Sequence, residues 1–382
     1  MKVLVIHTSY KYRGGEDTVV AEEIKLLRHA GMHVELLEFN NDENALLKLL
    51  QLPFNVQSYY KTKQKLTDFR PDIVHIHNLH FGGSPSVIYA IKRSNTPFVT
   101  TLHNFRLLCP SGILFNNGKL FLDSLYQSFP WKAVELGVYK DSKLITFWVA
   151  LSMYIHNKLG TWKNCNKYIV LSEHARKLFL NSKLNLSQNQ MVVKPNFCSV
   201  PVLQPQKREN HFLYIGRLSE EKGIMLLLSV FSSCTYKVKI AGDGPLKNEV
   251  IQYAAKYPNI EFIGIVNKAE VFILLQSCSA LLFPSVWFEG MPLTIIEAFA
   301  CGTPVISSKL GAMETMITPE YNGLHFEAND KVDFRQKLDQ WIQLSEEEKN
   351  RYRENALNSF ISNYTSSRNL VLLVDIYNTV IA

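Results

Sequence analysis

Four groupings of residues have the types and spacing to hold a phosphorylated, hydroxyl-bearing ligand. In Gly216-Arg217-Leu218-Ser219-Glu220-Glu221-Lys222-Gly223 two cations stand five residues apart beside a glycine turn. Such a pair neutralises a diphosphate from two sides, although a solvated basic loop has the same pattern. The segment Phe288-Glu289-Gly290-Met291-Pro292-Leu293-Thr294 runs on through Glu297 to Pro304. Pro292 suits a first helical turn because it has no amide hydrogen to leave unsatisfied, and the amides of Leu293 and Thr294 stay free for an anion. Glu289 precedes this helix and Glu297 lies in its second turn, so both carboxylates border one site at different depths. Each can accept a pair of sugar hydroxyls. Both could equally be surface residues, but Glu297 sits in an otherwise apolar helix. Gly14-Gly15 opens a helix after the first apolar run, where amides approach an anion at the positive helix end. A tight turn without a ligand reads identically. His75, His77 and His103 complete the set; His75 and His77 alternate on a strand and are read as pointing to opposite faces, against a shared metal.

These residues need sheet edges to stand on, and the sequence supplies them. Short β-branched runs alternate with amphipathic stretches, the pattern of parallel sheets covered by helices. Strands are expected at 3–7, 34–39, 73–76, 98–102 and 168–171, with helices over 18–30, 84–94 and 173–181. Residues 105–165 interrupt the rhythm as an aromatic-rich insertion. A boundary falls around 192–206, where Lys194-Pro195-Asn196 and the stretch from Pro201 to Pro205 break regular structure. A second series follows, with strands at 212–215, 237–241, 260–263, 280–283 and 305–307. The apolar stretch 368–381 is expected to pack back on one of the domains.

A length of 382 residues fits two domains at about 150 residues each, and 47% hydrophobic with 20% charged residues excludes a disordered or low-complexity chain. Residues 1–194 hold 24 Lys+Arg against 14 Asp+Glu, a net +10, whereas the remainder holds 17 against 20, a net −3. The first half is therefore expected to meet something anionic. Six scattered cysteines form no CxxC pair, which signals neither zinc nor a disulfide framework and fits a reducing cytoplasm. The apolar start is too short for a signal peptide. The longest near-apolar run, Leu144–Ile155, is far short of the roughly 20 residues that span a bilayer. With Lys140, Lys143, Lys158 and Lys163 around it, that run has the makings of a membrane-interface helix, but we read it as core.

Tyr214-Ile215-Gly216-Arg217-Leu218 with Lys222-Gly223, Gly242-Asp243-Gly244-Pro245, and Glu289 with Glu297 resemble the retaining glycosyltransferases of family four. Gly14-Gly15, His75-x-His77 and Thr101-Leu102-His103-Asn104 match more loosely, in order, in the first half. The resemblance implies an α/β GT-B fold, two Rossmann-like doubly wound domains facing across a cleft. Residues 1–195 would form the acceptor-side domain, 196–364 the nucleotide-sugar-binding domain, and 365–382 a segment returning to the first. It implies that Arg217 and Lys222 bind the donor diphosphate, that Glu297 holds the ribose, and that Glu289, with the backbone of Gly290, Met291, Leu293 and Thr294, meets the transferred sugar. Gly15 would approach the phosphate and His103 would lie at the donor sugar. Many relatives have Asp where this chain has Asn104.

The chemistry implied is hexosyl transfer, with retention, from a nucleotide sugar to a saccharide or lipid-linked saccharide during cell-surface polysaccharide assembly, such as capsule or lipopolysaccharide. No cofactor, metal or nucleic-acid partner is expected; no DxD motif is present. The site would be cytoplasmic, with peripheral contact at an anionic inner membrane face. Within the same fold a nonhydrolysing sugar-nucleotide epimerase is the rival, but it needs catalytic carboxylates facing histidines in the first domain, and the sequence reading finds none. A Rossmann oxidoreductase lacks GxGxxG and a ribose acid, and an inactive sugar-nucleotide-binding module is the remaining alternative.

Overall fold

The computed structural model describes residues 1–9, 14–41, 49–201, 204 and 206–382. Of the stretch read as a boundary at 201–205, residues 202, 203 and 205 lie outside the described residues. The chain divides into two compact units, one of residues 1–114, 121–196 and 366–382, the other of residues 115–120 and 197–365.

Each unit is built on a six-stranded sheet in which every described pairing is parallel. The first contains β1 (Lys2–Ser9), β2 (His33–Asn40), β3 (Ile73–Ile76) and β4 (Phe98–Leu102). After a two-stranded hairpin of β5 (Phe115–Asn116) and β6 (Lys119–Leu120) it continues with β7 (Lys167–Val170) and β8 (Met191–Val193), in the order β2-β1-β3-β4-β7-β8. The second contains β9 (Phe212–Ile215), β10 (Val238–Ala241), β11 (Ile260–Gly264), β12 (Ala280–Phe283), β13 (Val305–Ser308) and β14 (Gly323–Phe326). Its order is β11-β10-β9-β12-β13-β14. The order reverses between β1 and β3 in one sheet and between β9 and β12 in the other. At such a switch point the loops leaving the carboxyl ends diverge and open a crevice for ligands.

Both faces of each sheet are covered, which is why the strands are near-continuous apolar runs. Phe212 and Tyr214 pack with Leu227, Phe231 and Trp341, while Leu213 between them packs with Ile295, Ile296 and Phe299 on the other face. In the first unit Val3 and Val5 meet Val20, Ile24 and Leu27 of the Gly15–His29 helix and Leu373, Ile376 and Tyr377 of the C-terminal helix Ser366–Ile381. The C-terminal helix thus completes the first unit's core.

The Lys143–Lys158 helix departs from the sequence reading. Thr146, Val149, Ala150, Ser152 and His156 are buried, but Leu144 is 78% exposed and Ile155 also faces solvent. The run is core on one face only, as the 3.6-residue period requires of a helix lying on a surface.

Candidate functional site

In the second unit the loops after β9 and β12 meet at the switch point. Gly223 makes that contact possible: its φ is +70°, and a Cβ there would stand 1.9 Å from the Pro284 carbonyl oxygen. Lys222 ends the short turn Glu220–Lys222 just before it. The Lys222 ammonium donates to Glu289 at 2.7 Å (Oε1) and 3.0 Å (Oε2), and it lies 5.0 Å from the Trp287 ring centroid. Ser285 Oγ and Trp287 Nε1 also donate to Glu289 Oε1, at 2.6 and 2.8 Å. Glu289 is only 6% exposed, so it is a buried carboxylate with one oxygen saturated and the other held by Lys222 alone among the described residues.

Arg217 is exposed and has no carboxylate within ion-pair distance among the described residues. Pro292 caps the Leu293–Ala300 helix, and the amides of Leu293 and Thr294 find no acceptor among the described residues, leaving two donors at a positive helix end. Gly290 and Met291 lie partly exposed in the loop before it. Glu297 is partly buried on this helix; burial pushes its carboxyl above the ordinary range, with Lys268 opposing. The structure thus joins Lys222 to Glu289 directly and sets Glu297 on the same helix as the two free amides. It shows no direct contact between Arg217 and these groups.

In the first unit Gly15 opens the Gly15–His29 helix, and Asp17 caps that end by accepting the Gly14 amide at 2.8 Å. Asp17 also bonds His7 Nε2 at 2.9 Å. A phosphate at Gly15 would compete with this carboxylate for the same helix end. Glu23 stands on the helix's buried stripe with Val19, Val20, Ile24 and Leu27. Its Oε2 accepts from the buried Lys194 ammonium at 2.8 Å, and its Oε1 lies 3.2 Å from both His75 Nδ1 and His77 Nε2. Burial opposes the charge on Glu23, yet Lys194, with His75 and His77, holds the carboxyl well below its usual range.

His75 and His77 therefore share a face, with ring centroids 4.1 Å apart, which corrects the sequence reading. Positions two apart on a strand point the same way. His75 is closed off by Tyr377 Oη and Thr101 Oγ1, each at 2.7 Å. His77 Nδ1 lies 2.9 Å from Nε2 of His103, which follows β4 directly. Burial, with His77 beside it, pushes His103 well below the usual histidine value and keeps it neutral. Next to His77 and His103 lies a cavity of about 120 Å³, lined also by His80, Arg106, Met153 and Trp162.

Donor atoms of Glu23, His75 and His77 lie within 4.8 Å of one another, a two-histidine, one-carboxylate set. A divalent ion there would face the buried Lys194 ammonium and displace Tyr377 from His75, and both oppose a metal at this set. The carboxylate–histidine pairs that an epimerase needs, which the sequence reading did not find, do exist as Glu23 with His75 and His77 and Asp17 with His7. Sequence reasoning missed Glu23, Lys194, Asn369 and Tyr377. The legible signal was an acid in the apolar stripe of the first helix.

Comparison with known proteins fits this geometry. The family described as Glycosyl transferases group 1 matches residues 200–359, and that described as Glycosyltransferase Family 4 matches residues 13–198. A glycosyltransferase of Methanocaldococcus jannaschii is 25% identical over 88% of this chain and 87% of its own length. The O-antigen chain mannosyltransferase C of Escherichia coli is 29% identical over 45% of this chain and 47% of its own. Among solved structures, Anabaena HepE in complex with UDP superposes with a TM-score of 0.70 at 15% identity, covering 99% of this chain and 100% of that one. The two family matches adjoin and fall one on each Rossmann-like unit, so the chain belongs to the group 1 glycosyltransferases and has the GT-B fold.

Proposed function

We propose that the protein transfers a hexosyl group, with retention and without a metal, from a nucleotide sugar to a saccharide acceptor in cell-surface polysaccharide synthesis. The observation that carries this reading is the pairing of Lys222 with the buried Glu289 at the β9/β12 switch point, beside two free helix amides. Arg217, Lys222 and the amides of Leu293 and Thr294 take the diphosphate; Glu297 takes the ribose and Glu289 the hexose hydroxyls. Gly290 and Met291 contribute backbone. UDP bound to HepE and the O-antigen role in the name of the E. coli relative support the donor and the pathway class.

In the reaction the bond from the anomeric carbon to the diphosphate oxygen breaks, its electron pair leaving with the phosphate. The acceptor oxygen bonds that carbon on the same face, and its proton passes to a departing phosphate oxygen. Fixed cations and amides stabilise the charge that builds there. Double displacement would need a carboxylate about 3 Å from the anomeric carbon. Glu23, beyond His77 from His103, is locked to Lys194, which favours the one-face route. A nonhydrolysing epimerase is the second reading, drawn from the Glu23 and Asp17 histidine pairs; it predicts an epimerised nucleotide sugar when no acceptor is present.

The test is release of nucleoside diphosphate from UDP-, GDP- and ADP-sugars in EDTA. Activity lost in EDTA and restored by Mg²⁺ or Mn²⁺ overturns metal independence. Undiminished turnover in both Lys222→Ala and Glu289→Ala overturns the site.

A lipid-linked acceptor and peripheral attachment at the cytoplasmic face belong to the same proposal. They are supported by the exposed Leu144 and Ile155 and by a groove lined with Lys158, Lys163 and Lys183, none of which has a carboxylate partner among the described residues. Each basic residue near an anionic leaflet is worth about 1 kcal/mol. Stronger binding to anionic vesicles at low than at high salt is the expected result; absent or salt-independent binding contradicts it.

A further inference from the structure

The chain Lys194–Glu23–His77–His103 has an obligate donor at one end and an obligate acceptor next to it, which fixes the direction of every hydrogen bond beyond. Lys194 can only donate, and it takes Glu23 Oε2 at 2.8 Å and Asn369 Oδ1 at 3.1 Å. Asn369 is oriented for this by donating through Nδ2 to the Pro195 carbonyl at 2.7 Å. Ionised Glu23 can only accept. Its Oε1 and His77 Nε2 are buried and have no well-aligned hydrogen-bond partner, but they stand 3.2 Å from each other. A bare Nε2 would set a lone pair against the carboxylate; a proton on Nε2 gives an attraction. Lys194 already balances the charge of Glu23, so an imidazolium at His77 would leave an uncompensated buried cation. Neutral His77 with its proton on Nε2 has a bare Nδ1. At 2.9 Å from that atom, His103 Nε2 must carry the proton.

We propose that Glu23 is a positioning residue that, through His77, holds His103 in the tautomer protonated on Nε2 and leaves His103 Nδ1 as a hydrogen-bond acceptor. This concerns the protein itself; only the use of Nδ1, accepting a substrate hydroxyl, rests on the function proposed above. Glu23→Gln reverses the chain. Lys194 claims the amide oxygen, the NH₂ group turns to His77 Nε2, and His77 must then donate from Nδ1 to His103 Nε2. His103 is left with its proton on Nδ1, a donor where an acceptor stood.

Long-range ¹⁵N–¹H correlation spectra of the histidine-labelled full chain at neutral pH read the tautomer directly, with His77→Gln and His103→Gln used only for assignment. The expected wild-type result is His103 protonated on Nε2 and bare on Nδ1. His103 protonated on Nδ1, or an imidazolium at His77, overturns the proposal whether or not any variant folds. Folded Glu23→Gln should show the opposite His103 tautomer, with kcat lower by about tenfold and the donor KM little changed; an unchanged tautomer removes Glu23 from the role. Should both tautomers come out as stated while His103→Ala leaves turnover intact, the positioning stands and the functional use of His103 falls.

Discussion

Lys222→Ala is the perturbation with the best-defined consequence. Removing the ammonium leaves Glu289 with Ser285 and Trp287, both on Oε1, and leaves Oε2 with no donor in a carboxylate 6% exposed. A fully buried pair broken in this way costs about 3–5 kcal/mol. Here two donors remain, and the Lys222 side chain is 23% exposed, so water can reach the vacated position. We therefore expect a loss near that of one charged hydrogen bond, about 1.5–3 kcal/mol. Arg217 has no such partner, and Arg217→Ala should stay within about 0.5 kcal/mol of wild type. Both variants should lower kcat/KM with the nucleotide sugar, by about 10²–10³-fold if each stabilises the leaving diphosphate. Adding Glu289→Gln to Lys222→Ala removes the orphaned charge and should recover most of the lost stability. Denaturant unfolding of the wild type, Lys222→Ala, Arg217→Ala, Glu289→Gln and the double variant, with initial rates alongside, measures all of this. Equal stability of Lys222→Ala and Arg217→Ala, or strictly additive effects in the double variant, would refute the reasoning.

Further outcomes follow from other parts of the molecule. Because burial raises the Glu297 carboxyl, the folded state binds its proton more tightly than the unfolded chain, and the stability this gives is lost as pH rises from the ordinary carboxylate range through the raised value. Glu297→Gln should thus be more stable than wild type at pH 7, an advantage that vanishes in unfolding curves below about pH 4, while donor affinity falls. Gly223→Ala should lose well over 1 kcal/mol in the same assay, since both the φ of +70° and the 1.9 Å approach to Pro284 oppose a methyl group; a neutral result would deny that close contact. Burial brings Lys183 down to about 8, so its charge is lost as pH rises through that value, and binding to anionic vesicles should weaken there in wild type but not in Lys183→Gln.

Much of the architecture could be read from the sequence because buried parallel strands leave plain apolar runs; β3, β4, β9 and β12 lie where the pattern puts them. The elements that escaped were short or disguised. β8, Met191–Val193, runs into Lys194-Pro195 and looked like a boundary, and β14, Gly-Leu-His-Phe, carries only two apolar residues. The Lys143–Lys158 helix is apolar around most of its circumference, so its sequence could not reveal that one face is open. In the second unit Lys222 and Glu289 lie in the loops after β9 and β12 and Glu297 in the helix that follows, so the residues of the proposed site stand in short stretches that the sequence displays. The network around Glu23 was not visible, because Lys194 and Tyr377 reach it from 171 residues and more than 300 residues away along the chain, and only the folded sheet brings them together.

The central claim, that the second unit is a nucleotide-sugar cradle centred on Lys222 and Glu289, is tested most directly by titrating the full chain with UDP, GDP and ADP in EDTA by calorimetry. The account predicts saturable binding of at least one of the three, weakened about tenfold or more by Lys222→Ala and by Arg217→Ala. Binding of none, or binding equally tight in both variants, would contradict it.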